Sequence, residues 1–129
     1  MKLSRTKVLY LNESEDKTRE YSVEFPDTGT MMDIELMKIQ LSDNKYDSLK
    51  YSMNAMMHRQ SVVIDAIATF VFMIPQLKKD LNVVSFLKLS YEQIDMVQEM
   101  YVEQFLPWYE EWLVLLSRPK EKPEQKKEA

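Results

Sequence analysis

The chain has no cysteine and a single glycine, Gly29, in 129 residues. The first absence excludes disulfides and thiolate metal sites. The second disfavours glycine-rich phosphate loops, which need several positions without a Cβ. Clustered basic residues are missing from the body of the chain, and the formal charge is -4. That balance argues against general nucleic-acid binding, which requires grouped Lys and Arg against phosphate. Long apolar runs are scarce as well. The longest, over 62–74, is interrupted by Asp65 and closed by Pro75, and it falls short of the roughly 18 residues of a membrane span. The first residues are basic but show neither the apolar stretch nor the small-residue cleavage site of a secretory leader. The expectation is a protein without membrane segment or nucleic-acid partner, compatible with a reducing, cytoplasmic compartment.

What is present reads as one domain over 1–117, followed by a charged tail over 118–129. The segment SVVIDAIATFVFMIPQL, 61–77, is the natural centre. Val63, Ile64, Ile67, Phe70, Val71 and Ile74 recur at spacings of three and four, the signature of one helical face. Pro75 should stop or kink this helix. Residues 7–12 and 18–25 are rich in β-branched and aromatic side chains around the polar insert 13–17, which predicts an antiparallel hairpin over 7–25. Tyr21, Val23 and Phe25 share one face of it. A two-stranded ribbon is marginal alone, so it requires the chain's own helices or a strand from a partner.

The helical body should occupy 31–116. Thr30 can cap a helix over 31–42, although its alternating pattern also suits a strand. A turn at Ser42-Asp43-Asn44 precedes a second helix over 47–59, which can run on through Gln60 into the central one. Residues 82–88 suit a short helical connector. Ser90, with Gln93 in capping-box position, opens a long last helix in which Ile94, Val97, Tyr101, Phe105, Trp108, Trp112 and Leu115 form one stripe, bent at Pro107. Glu92, Asp95, Glu99 and Glu103 make an acidic ridge on another face. The tail has two prolines, five basic and three acidic residues and no large apolar side chain, a composition expected to be disordered. The fold class is therefore mainly α with an N-terminal β-hairpin (α+β), a compact helical domain of four to five helices around a central apolar helix.

Candidate chemistry is thin. His58, Ser61 and Asp65 share a helical face, but catalysis needs the histidine between nucleophile and acid, and His58 stands roughly 10 Å along the axis from Asp65. Met53, Met56, Met57 and His58 are soft donors of the kind that hold Cu(I). Ordinary core packing accounts for the same methionines, and the functional reading beside it is a pliable contact surface, because unbranched thioethers repack against differing apolar partners. Acidic neighbours such as Asp33 and Glu35, or Glu110 and Glu111, do not face each other across a cleft as a hydrolase pair would. The block Phe105-Leu106-Pro107-Trp108-Tyr109 with Trp112 can anchor either a core or an interface. No enzyme, cofactor or metal is expected, and Met53, Met56, Met57, Phe105, Trp108, Tyr109 and Trp112 are the candidate partner-binding residues.

Four features together resemble small proteins encoded among tailed-phage structural genes, and among these the phage tail assembly chaperones. They are Val23-Glu24-Phe25-Pro26, a helix with Asp33-Ile34-Glu35 and Lys38, the run AIATFVFMIPQLKKDL from Ala66, and QFLPWYEEW from Gln104. The resemblance covers the layout of most of 7–116. It implies a short, acidic, largely helical protein that binds an apolar, helical tape-measure protein in the host cytoplasm during tail assembly. The alternative is a permanent virion component, such as a connector or a capsid or tail accessory protein. A homo-oligomer is a further expected way to cover apolar surface.

Overall fold

A computed structural model describes residues 4–117, so the tail expected to be disordered lies outside the described residues. Strands β1 (Thr6–Ser14) and β2 (Lys17–Glu24) form an antiparallel hairpin. There follow α1 (Thr28–Leu41), α2 (Tyr46–Lys50), α3 (Ala55–Met73), α4 (Leu77–Asp80), a 3-10 turn (Phe86–Lys88), α5 (Tyr91–Met100), a π-helical turn (Tyr101–Phe105) and α6 (Leu106–Ser117). The architecture is α+β, mainly helical, with α3 at its centre.

Strand period places Leu9, Leu11, Tyr21, Val23 and Phe25 on the buried face of the hairpin, with Val8 and Tyr10 turned out. Leu9 pairs with Tyr21 and Lys7 with Val23, and the register shifts between Asn12 and Ser14. The ribbon gains its missing layer from the helices of the same chain, with β1 against α5 and the π turn.

Helix α1 begins earlier than the expected 31–42. Asp27, in extended conformation, accepts the Thr30 N–H at 2.8 Å, so Asp27 is the cap and Thr30 lies inside the first turn. The turn after it holds Asp43 and Asn44 at φ 55° and 65°, a left-handed region that short polar side chains tolerate best.

The helix expected over 47–59 is two elements. Asn54 accepts the N–H groups of Met56 and Met57 at 2.9 and 3.1 Å, and the Ser52 hydroxyl accepts the Asn54 N–H at 3.0 Å. These local bonds end one helix and start the next where helical propensity alone would run through. From Ala55, α3 continues to Met73, and Pro75 stops it with Ile74 as its last cap. Ala66, Ile67, Ala68, Thr69 and Phe70 are buried in succession, so the middle of α3 is enclosed on every side. Each large side chain buried there contributes about 1.5 to 3 kcal/mol.

In the connector expected to be helical over 82–88, only Phe86–Lys88 forms a turn of helix, because Asn82 adopts φ 58° and breaks the preceding one. Ser90 and Gln93 form the full capping box, and the Gln93 amide also donates to the Leu81 carbonyl at 2.9 Å. The bend expected at Pro107 is a π turn, in which the Leu106 N–H reaches back to the Tyr101 carbonyl. Proline cannot donate and crowds the preceding turn, and the wider turn absorbs both effects. It leaves Tyr101 and Phe105 stacked at 5.6 Å. Leu115, expected on the core stripe, is exposed, since α6 runs past the core after Trp112.

Candidate protein-binding surfaces

The seven candidate residues separate into two groups. Phe105, Trp108 and Trp112 are buried, which corrects the expectation that they form a contact surface. Trp108 meets Phe25 edge-on at 5.8 Å and Trp112 lies tilted against it at 5.4 Å, while Phe105 packs edge-on against Phe70 and Trp108. Both indole N–H groups donate to the Ser4 carbonyl, at 2.8 Å from Trp108 and 2.9 Å from Trp112. Arg5 lies over the Trp112 ring at 5.2 Å. The aromatic block therefore fastens the start of the hairpin to α6, and hydrophobic burial with satisfied indoles explains its composition. Tyr109 is half-buried, stacked between Phe25 and Phe105, and burial raises its hydroxyl above the ordinary value.

The methionines stand outside. Met53 is fully exposed, and Met56 and Met57 are 68% and 41% exposed at the first turn of α3. The break at 51–54 presents them, and the Asn54 cap holds the turn from which they project. His58 is committed to that junction, with Nδ1 2.8 Å from the Lys50 carbonyl. A neutral ring there donates from Nδ1 and leaves Nε2 outward.

His58, Ser61 and Asp65 do not converge. The Ser61 hydroxyl is buried and donates to the His58 carbonyl at 2.6 Å, away from its ring. Asp65 accepts from the Tyr46 hydroxyl and lies 3.5 Å from the Lys38 ammonium, which also pairs with Glu35 at 2.8 Å. Burial first, and then the bond to Asp65, raises the Tyr46 hydroxyl. The Lys38–Asp65 pair joins α1 to α3, and the Tyr46 hydroxyl on Asp65 brings in α2.

Two surfaces escape a reading of the sequence by core pattern. Helix α1 buries only Ile34, while Met32, Leu36 and Ile39 line its outer face at 60, 56 and 44% exposure. Beside it, Met37, Leu41, Ile67, Val71, Phe86 and Leu87 line an apolar groove of about 330 Å³. At the end of α6, Leu113, Val114, Leu115 and Leu116 are all exposed. For α1 the signal is the strand-like alternation of 31–42: wound into a helix, that pattern is apolar on two faces, and one core cannot cover both.

No family profile, no curated protein and no solved structure matches the chain. Among the described residues, no helix is long and apolar enough to cross a membrane.

Proposed function

We propose that this chain is a non-catalytic protein that binds a partner protein through apolar helical surface, in the manner of a phage tail assembly chaperone. The observation that carries this reading is the exposure of Met53 just before α3 and of Met56 and Met57 on its capped first turn, with a second apolar stripe of Met32, Leu36 and Ile39 on α1. Exposed apolar side chains in register along a helix suit another amphipathic helix, and methionine suits one whose shape varies. A long apolar helical protein of the tape-measure kind is the partner class that fits.

The test is co-expression of the full chain with the long helical reading frame of its own genome. Co-purification is expected, and replacing Met53, Met56 and Met57 by Glu should reduce it about tenfold with little change in melting temperature. A monodisperse monomer that leaves the helical protein insoluble overturns the proposal. Mass spectrometry of finished particles then separates a chaperone, which is absent from them, from a permanent virion component.

A further inference from the structure

The two edges of the hairpin are not alike. The Phe25 N–H donates to the Arg5 carbonyl at 2.7 Å, and the register carries that pairing through Lys7 with Val23, Leu9 with Tyr21 and Leu11 with Arg19. The alternate residues therefore point their N–H and C=O groups away from the ladder. On β1, Gln104 takes both outward groups of Tyr10, accepting at 2.6 Å and donating at 2.8 Å. On β2, the outward groups belong to Thr18, Glu20, Ser22 and Glu24, which are exposed and find no backbone partner among the described residues.

That edge is held firmly from beneath. The Tyr21 hydroxyl donates to Asp80 at 2.7 Å, the Arg19 guanidinium donates to the Asp80 carbonyl at 3.4 Å and pairs with Glu13, and Val23 is buried. A strand fixed through one face, with an open edge, is already shaped to receive another. Its outward side chains set the chemistry. Glu20 and Glu24 flank Ser22, so pairing with a second copy of β2 gathers four carboxylates on one face of the joined sheet, where like charges on adjacent strands repel. Lysine or arginine in the same places converts that repulsion to attraction.

We propose that the open edge of β2 accepts an extended segment of a partner protein as a third strand, one that carries Lys or Arg at alternate positions beside Glu20 and Glu24. This contact lies apart from the methionine and α1 surfaces and adds a second mode of holding a protein.

The test uses the full-length chain labelled for NMR and a capped peptide of about seven residues that alternates lysine with valine. Shifts and slowed amide exchange should centre on Thr18, Glu20, Ser22 and Glu24. The same peptide with glutamate for lysine should bind about tenfold more weakly, and Glu20→Lys with Glu24→Lys should reverse that preference. An analogue N-methylated at its pairing positions should not bind. Equal binding of the N-methylated analogue, shifts centred on Glu92, Asp95, Glu99 and Glu103, or no shift at millimolar peptide each overturns the proposal. Co-purification lost on changing the methionines is a separate reading, so failure of one contact is distinguishable from failure of the other.

Discussion

The side chain of Gln104 replaces a neighbouring strand at Tyr10, accepting its N–H and donating to its carbonyl across a sequence separation of 94 residues. One side-chain amide thus satisfies both outward groups of Tyr10 on the edge of β1 and ties the hairpin to the π turn. Gln104→Ala should cost about 1 kcal/mol, since water can replace part of a pair at an exposed site. Hydrogen exchange should show the Tyr10 amide losing protection while that of Leu9 and Leu11, paired within the ladder, changes little.

The Ser4 carbonyl is shared by two indoles, which makes their contributions unequal to a sum. Trp108→Phe or Trp112→Phe removes one donor and leaves the other, at about 1 kcal/mol for the bond plus the packing lost with the larger ring. The double substitution strips the carbonyl of both. Urea unfolding of the four proteins should give a loss for the double variant greater than the two single losses added. Strict additivity would mean that each indole acts through packing alone.

Alkali should unfold this protein more steeply than its composition suggests. The hydroxyls of Tyr21, Tyr46 and Tyr101 are raised above the ordinary 10.0, in each case first by burial. A bond to Asp80 or Asp65 adds to this for Tyr21 and Tyr46, and the charge of Asp65 adds to it for Tyr101. With folded values above unfolded ones, the contribution is complete below about pH 10 and is lost as pH rises, because the unfolded chain ionises first. Tyr101→Phe should flatten the alkaline limb by up to about 1.4 kcal/mol per pH unit above pH 10, measured as urea midpoints. Unchanged slopes would show that Tyr101 ionises equally in both states.

Much of this fold was legible in the sequence because single residues announce it. Pro75 stops α3, Ser90 with Gln93 opens α5, and the alternation of Tyr21, Val23 and Phe25 picks the buried face of β2. What escaped depends on neighbours that sequence distance conceals. Asn54 reads as an ordinary helical position until its carboxamide is seen to cap Met56 and Met57. Trp108 and Trp112 suit a core or an interface, and their burial with the Ser4 carbonyl, over a hundred residues away, decides for the core. The exposed side of α1 was hidden for a different reason: periodicity locates apolar faces but does not tell which of two will be covered.

Asn54 connects stability to the proposed contact surface. Its side chain satisfies two of the N–H groups at the start of α3, and the same turn carries Met56 and Met57. Asn54→Ala should destabilise the chain by about 1 kcal/mol, whereas Asn54→Asp, which keeps an oxygen at the cap and adds negative charge at the positive helix end, should hold or improve stability. Fraying of this turn also costs the partner an ordered surface, so co-purification should fall for the alanine variant and persist for the aspartate. Loss of stability without loss of co-purification would place the contact on α1 instead, at Met32, Leu36 and Ile39, where the cap has no influence.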